Sequence, residues 1–415
     1  VHRPRALAVT ISLKSHFQPI FSLAHRRVVG YEALLRGTTP NGTPVPPPEL
    51  FARCQSVEEQ TALDVAACEL HASSFARFPR QAHWLFLNVD ASIFSSGNAM
   101  SASQRLLQVC RQSGLAPHQI VVEILETAID DHVDLEAQVR ELKAQGFLLA
   151  LDDFGAGHSN FDRVFTLAPT LVKLDRSVVV KAAQSQTVRR VTTQMVSLLH
   201  ECGALVLMEG IERREEAVIA LDSDTDFVQG YFFGRPAAQL LPPTHTCAEI
   251  EETWALCGDR WHEQRREYRD RLQPYVQTMV HACAGMQAGA SLAEACAAFL
   301  GLRNADVCYL LDASGHQVGT NLFSGGHGPV LAERDAFAPL RDTTGARWSR
   351  RPYFRRALGD VGVVQVTRPY RTMQSLSMCI TLSVGFEQHG QRLIICGDME
   401  WTPLDVRPDF SDTVS

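Results

Sequence analysis

The sequence contains no Cys-x-x-Cys pair, no apolar run of membrane-spanning length, no low-complexity tract, no internal repeat and no excess of positive charge. Each absence closes off a class of function. Eleven cysteines, an odd number scattered through apolar stretches such as residues 107–110, suit reduced, buried thiols rather than a secreted disulfide framework. That usage leads us to expect a cytoplasmic protein, and the Cys and His residues of the C-terminal half lack the spacing of a zinc or haem site. The longest apolar runs, such as residues 204–208, fall far short of the roughly 20 residues a helix needs to cross a bilayer, so no transmembrane segment is expected. The first residues also lack the charged, apolar and small-residue order of a secretion signal. With 39 Lys and Arg against 46 Asp and Glu, the formal net charge is -7. No global positive field is available to hold nucleic acid or an anionic membrane, so neither is an expected partner. A small phosphate-bearing ligand needs only a few local cations.

What is present fits one large domain and a smaller one in 415 residues,. Short runs of β-formers at residues 17–21, 28–35, 84–89, 120–125, 147–151, 171–174, 205–208 and 227–229 read as strands,. Helical patterns fall between them at 56–77, 101–113, 132–145, 187–201 and 213–221,. Eight strands alternating with helices suggest an α/β fold, a (β/α)8 TIM-like barrel with parallel pairing and right-handed crossovers. The Pro-rich stretch 40–48 reads as a surface loop,. Residues 248–279 turn helical and charged and read as a connector, while 280–405 show helices followed by strand candidates, the mark of a small α+β domain,.

Nearly every strand candidate of the first part ends in an acidic, amide or lysine side chain: Glu32, Asn88, Glu123, Asp152 with Asp153, Lys173 with Asp175, Glu209 and Gln229. Taken singly, an acid at a strand end more often caps the next helix than binds a ligand. In a barrel, though, the carboxyl ends of the strands converge on one face, where catalytic groups gather. Oxygen donors collected there suit Mg2+ or Mn2+. Lys173 and Asp175, two apart, are expected to share one face of a strand, and a lysine in a nest of carboxylates is a poor choice for a merely structural core.

The local strings are Gln18-Pro19-Ile20, Tyr31-Glu32-Ala33-Leu34-Leu35-Arg36, Leu87-Asn88-Val89, Glu123-Ile124-Leu125-Glu126, Leu151-Asp152-Asp153-Phe154-Gly155-Ala156-Gly157, Val172-Lys173-Leu174-Asp175, Glu209-Gly210-Ile211-Glu212 and Gln229-Gly230. As a set, and in this order, they resemble the EAL-domain phosphodiesterases that open cyclic di-GMP. The resemblance runs from about residue 17 to 236 and implies a barrel domain over 13–247. It implies that Glu32, Asn88, Glu123 and Asp152 bind one divalent ion, that Asp152, Asp153 and Glu209 serve a second, and that Lys173 and Asp175 position the attacking water. Either Glu209 as general base or a metal-activated hydroxide held by Lys173 fits the same constellation. By the same analogy Gln18 and Arg36 reach the substrate, Leu34 packs on it, and Glu212, Gln229 and Pro236 line the pocket. Glu126 matches a residue that braces the glycine-bearing loop at 154–161, whose Gly-His158-Ser159-Asn160 departs from the usual Gly-Tyr-Ser-Ser. A homodimer is implied as well. The alternative is a catalytically silent receptor for cyclic di-GMP, but degenerate members usually lack metal ligands, and here every expected one is present.

In the C-terminal part, Tyr309-Leu310-Leu311-Asp312, Arg351-Pro352-Tyr353-Phe354, Arg368-Pro369-Tyr370 and Cys396-Gly397-Asp398 resemble, more loosely, a PAS-like or Cache-like sensory module. Such a module implies a regulatory role and a small ligand of unspecified identity, or else dimerisation alone.

Overall fold

The computed structural model describes residues 11–78, 82–90, 100–125, 135–157, 161–242, 245, 247–326, 343, 345–372 and 377–401. Residues Val1–Gly258 and Asp259–Ser415 form two compact units. The first contains β1 (Ser12–Ser22), β2 (Arg27–Thr38), β3 (Pro44–Val45), α1 (Pro47–Phe51), α2 (Val57–Phe75), β4 (Trp84–Asn88), α3 (Ala102–Ser113), β5 (Ile120–Leu125), α4 (Leu135–Ala144), β6 (Leu148–Phe154), α5 (Phe161–Leu167), β7 (Leu171–Leu174), α6 (Arg176–Gln184), α7 (Gln186–Glu201), β8 (Leu205–Met208), α8 (Arg214–Asp222) and β9 (Phe227–Val228). Strands β1-β9-β8-β7-β6-β5-β4-β2 pair in that order and β1 pairs β2, so eight strands close into a barrel.

The pairing corrects one expectation: of the eight barrel strands, β1 runs antiparallel to both β2 and β9, and the remaining neighbours pair in parallel. Residues 23–26, with Arg26 at φ 54°, are the whole connection between β1 and β2. A parallel crossover needs a dozen residues or more, so this link can only make a hairpin. The stretch 40–48 is also more than a loop. Pro44 and Val45 form β3 at the free edge of β2, and Pro47 opens α1. Both positions tolerate proline, since an edge strand and a first helical turn leave the missing N–H unneeded. Ser56 and Ser101 cap α2 and α3, the latter in a reciprocal box with Gln104, and Gly114 ends α3 in the left-handed conformation,.

Side chains alternate along each strand, and this sorts the barrel interior into layers. Ile20, Phe86, Val121, Ala150, Leu171, Leu207 and Phe227 form one buried apolar cluster. Gly30 shares that layer, where a Cβ would lie 2.9 Å from the Phe86 ring and 2.8 Å from the Trp84 carbonyl. Two residues further along each parallel strand, and two residues back along antiparallel β1, come Glu32, Asn88, Glu123, Asp152, Lys173, Glu209, Gln229 and Gln18. The polar layer therefore sits directly on an apolar plug. Outside the strands, a second cluster including Phe17, Tyr31, Leu87, Val122, Leu151, Val172 and Val206 packs beneath the helices.

A continuous helix, α9 (Ala248–Gln287), runs through the boundary between the units, eight residues beyond the expected end of the connector at 279. Its second half presents Tyr268, Leu272, Tyr275, Met279, Cys283 and Met286 to a sheet cluster containing Ile380, Leu382, Val384 and Ile395. The second unit adds α10 (Leu292–Leu300), β10 (Ala305–Asp312), β11 (Gln317–Phe323), α11 (Pro352–Gly359), β12 (Gln365–Val366), β13 (Tyr370–Arg371), β14 (Met378–Gln388) and β15 (Gln391–Glu400). Its sheet is antiparallel, ordered β11-β10-β15-β14-β12 with β13 also on β14. All eleven cysteines are free thiols. Among the described residues no helix is long and apolar enough to cross a membrane.

Candidate active site

Lys173 is the centre of the polar layer. Its buried Nζ lies 2.6 Å from Glu123 Oε1, 2.8 Å from Glu209 Oε1 and 3.0 Å from Asp152 Oδ2. Glu32 completes the acids from the other side: its Oε1 accepts from Asn88 Nδ2 at 2.8 Å and its Oε2 from Gln229 Nε2 at 2.6 Å. Neighbouring strands deliver these groups in register, with Asn88 opposite Glu123 and Gln18 opposite Glu32.

A β-bulge supplies the paired aspartates. Leu151 pairs with Val172 and Phe154 with Leu174, so two residues of β6, Asp152 and Asp153, face the single Lys173 of β7. The extra residue sits at φ 57° on Asp153, whose N–H donates to Asp152 Oδ1 at 2.8 Å. A bulge re-aims side chains; here Asp152 stays buried in the layer while Asp153 is exposed at its rim.

The electrostatics follow from burial and one cation. Burial pushes Glu123 and Glu209 well above the ordinary carboxylate range, with Lys173 opposing it incompletely. Asp152 feels the same burial, but the Lys173 ammonium holds it below its usual value. Lys173 itself is disfavoured by burial, and Asp152, Glu123, Glu209 and Glu32 together more than reverse this and raise it. What burial Asp153 has, followed by the Asp152 and Asp175 charges, raises its carboxyl.

This donor set fits divalent cations. Four carboxylates, Glu32, Glu123, Asp152 and Glu209, face one ammonium, and Glu123 Oε2 is buried without a hydrogen-bond partner. Glu123 Oε1 and Glu209 Oε1 touch Lys173 only outside hydrogen-bond geometry. Protons can balance the surplus negative charge, and an arriving ion displaces them. Among the described residues no three His, Cys, Asp or Glu side chains already form a closed ion cage; the acids are spread around the ammonium instead.

The remaining expected residues divide. Gln18 is buried and donates to the Gly234 carbonyl at 3.2 Å, and the adjoining chain, with half-buried Pro236, is tied to β1 through Phe17 and Ala237. Leu34 and Arg36 follow Glu32 at period two on β2, half-buried, with Arg36 Nη1 donating to the Leu35 carbonyl at 2.9 Å. Gln229 is tied to Glu32 and so orients a carboxylate rather than only lining a pocket. Asp175 departs from expectation: β7 ends at Leu174, and Asp175 caps α6 by accepting from the Ser177 N–H at 2.9 Å. Glu126 and residues 158–160 lie outside the described residues. Sequence reasoning missed Arg176, whose Nη2 lies 2.6 Å from Glu212 Oε2. Its side chain packs over Gly210, where a Cβ would come within 2.5 Å of it and φ is 63°. Its only signal was its place directly after Asp175.

A family model described as EAL domain matches residues 5–236, more than half of the chain. The cyclic di-GMP phosphodiesterase RocR of Pseudomonas aeruginosa is 28% identical over 239 residues, covering 56% of this chain and 58% of RocR. The Bacillus subtilis YkuI protein, with an EAL domain and solved in complex with substrate c-di-GMP and calcium, matches with a TM-score of 0.78 at 20% identity, over 97% of this chain and 100% of YkuI. At that identity the likeness concerns the fold. Klebsiella pneumoniae BlrP1, solved as a calcium/cy-diGMP complex, matches with a TM-score of 0.50 at 25% identity, over 58% of this chain and 59% of BlrP1. The chain spans 58% of the length of RocR and a smaller share of other curated relatives.

Proposed function

The chain belongs to the EAL-domain family, and from that membership we propose that its barrel hydrolyses cyclic di-GMP to linear pGpG with divalent ions. The observation that carries the reading is the Lys173-centred nest of Glu32, Glu123, Asp152 and Glu209 on an apolar plug, with Asn88 and Gln229 fixing Glu32. RocR, named as a cyclic di-GMP phosphodiesterase, and the cyclic di-GMP complexes of YkuI and BlrP1 support the substrate. A purely structural ion-pair network would not need this many buried acids around one cation, because each uncompensated charge costs several kcal/mol.

In this reading Glu32, Asn88, Glu123 and Asp152 hold one Mg2+ or Mn2+ ion, and Asp152, Asp153 and Glu209 serve a second. Bound ions of this kind lower the pKa of water and stabilise the leaving oxygen. Asn88 and Gln229 fix the Glu32 carboxylate by donating to its two oxygens. Lys173, kept charged by its neighbours, orients the attacking oxygen. Glu209 keeps 21% of its side chain exposed, against 0% for Glu123 and 8% for Asp152, so of the three Lys173 partners it is the one open to an incoming water. We assign it the proton. Asp175 acts by setting the start of α6, and hence Arg176 and its partner Glu212, at the substrate rim. The second unit, a PAS-like or Cache-like module, would regulate the barrel, and the working form would be a cytoplasmic homodimer.

The test is turnover of cyclic di-GMP by the whole chain with Mg2+ or Mn2+, followed by chromatography, with Glu32→Ala in parallel. Linear pGpG from the native chain and none from the variant is the expected result. Tight binding without product under every metal would make the protein a receptor instead.

A further inference from the structure

A cavity at the opposite end of the barrel from the polar layer plays no part in the chemistry above. Trp84 opens β4 and Asn88 closes it, so the two lie about 13 Å apart along the strand,. Arg27 likewise opens β2, the strand that carries Glu32. Around these strand starts Arg27, Tyr31, His83, Trp84, Pro242 and His245 line a cavity of about 510 Å³. That volume suits a small organic molecule. In barrels of this kind the chemistry gathers at the carboxyl ends of the strands, so the other end is placed to bind rather than to react.

The lining carries one sign of charge. The chain as a whole has a formal charge of -7, yet among the described residues no acid lines the cavity, while Arg27, His83 and His245 do. Two adjacent arginines differ here: Arg26 Nη1 lies 3.0 Å from Glu251 Oε2, whereas exposed Arg27 has no ion-pair partner among the described residues. Burial, and after it the Arg27 charge, holds the His83 imidazole below its ordinary value against the pull of the Val28 carbonyl,.

Two polar groups of the buried wall are incompletely used. Tyr31 is 1% exposed, and its hydroxyl oxygen accepts from the Leu241 N–H at 3.2 Å, which leaves its own proton without an acceptor among the described residues,. Burial pushes this phenol up to about 12, so the proton stays in place. His83 Nδ1 is buried with no hydrogen-bond partner. Buried polar groups are ordinarily bonded, and an exception marks a place where a water or a ligand belongs. The Tyr31 and His83 rings meet edge to face with centroids 5.5 Å apart, so the two open positions are neighbours. The aromatic walls are fixed in advance. Trp84 makes edge-to-face contacts with Phe86 at 6.5 Å and Phe227 at 6.0 Å, and the His245 ring lies 6.3 Å from that of Phe21. A ligand entering here therefore orders little of the protein.

We propose that this cavity binds a small organic anion, an aromatic ring carrying one carboxylate or phosphate group. Arg27 meets the anionic group, Trp84 and Pro242 flank the ring, and the Tyr31 hydroxyl donates to an acceptor atom of the ligand. A cation is disfavoured because the lining offers it no carboxylate. A bare inorganic anion would leave the aromatic walls and most of the volume unfilled.

The inference does not rest on the barrel's activity, because binding is read directly on the full chain, in chelator, by calorimetry and thermal shift. The probes are indole-3-acetate, salicylate, nicotinate, AMP and GMP, each beside its uncharged counterpart, namely indole-3-acetamide, salicylamide, nicotinamide, adenosine and guanosine, with acetate and inorganic phosphate as anions without a ring. At least one ringed anion should bind saturably, and its uncharged counterpart and the ringless anions about tenfold more weakly or worse. Arg27→Gln should weaken that binding about tenfold and His245→Gln about threefold, while Arg26→Gln leaves it unchanged. Arg27 is exposed and unpaired, so its variant should fold, and an unchanged melting temperature without ligand checks this. Binding by the carboxylates alone or by the phosphates alone identifies the head group within the proposal. No binder in the panel, equal binding of the uncharged or ringless probes, binding unchanged in Arg27→Gln, or equal weakening by Arg26→Gln overturns it.

Discussion

Asp152 in the barrel and Asp398 in the C-terminal sheet are buried to the same degree, 6% exposed each. Asp152 lies 3.0 Å from the Lys173 ammonium and is held below the usual carboxylate range; Asp398 has a threonine hydroxyl at 2.7 Å and is pushed up to about 7. Burial alone therefore does not decide the state of an acid. The barrel brings its own cation and still carries more acids than that cation can balance, the condition for capturing ions of higher charge. The C-terminal sheet places no basic side chain in an ion pair with Asp398 among the described residues, and burial, with the Asp306 charge adding to it, raises that carboxyl.

The comparison can be broken most forcefully in the barrel. Glu123→Gln keeps the shape of a fully buried side chain and removes a charge from the ion-binding nest, so turnover of cyclic di-GMP should fall about a thousandfold or more, measured by initial rates at saturating metal. Lys173→Met should lower unfolding free energy by about 3–5 kcal/mol in denaturant melts, because it strands three carboxylates that share one counter-ion. A divalent ion added to that variant should restore part of the loss, which a merely structural ion pair would not show.

Asp398→Asn tests the opposite arrangement. A carboxyl whose folded value is raised from 3.8 to about 7 leaves stability intact below pH 4 and erodes it as pH rises towards 7,. The C-terminal transition of the native chain should thus weaken across that window by about 4 kcal/mol, and the Asn variant should flatten this slope while leaving turnover in place. At the rim, Arg176→Ala should cost less than about 1 kcal/mol, since its pair with Glu212 is solvent-exposed. It should appear as a few-fold rise in KM at unchanged kcat,.

How far the sequence reached depends on the range of the forces involved. Short apolar runs between helical patterns marked the strands, and the acidic, amide or lysine side chain ending each of them made Glu32, Asn88, Glu123, Asp152, Lys173 and Glu209 legible without coordinates, their ligand roles following from the family resemblance. The antiparallel course of β1 was legible in principle from the four-residue link at 23–26, but the alternation of strands and helices suggested parallel pairing throughout. The bulge at Asp152 and Asp153 was not legible, because it is defined by the register of β6 against β7 rather than by either string alone. Asp175 illustrates local chemistry winning over pattern: a short acid at the start of a helix finds backbone N–H groups closer than Lys173,. Short elements held by distant partners, α11, β12 and β13, carried no periodic signal; the strings around Tyr309, Arg351, Tyr370 and Asp398 stood out in the sequence, but not that strand register brings Thr381 and Asp398 face to face.

The most direct measurement of the central claim is a metal titration of the chelated full-length chain with cyclic di-GMP present, following pGpG against added Mn2+. Product should be absent in chelator and should rise with metal to a plateau, with Glu123→Gln requiring far more metal and turning over at the thousandfold lower rate. Equal turnover in chelator, or saturable substrate binding with no product at any metal concentration, would contradict the account of the Lys173 nest as an ion-dependent hydrolytic centre.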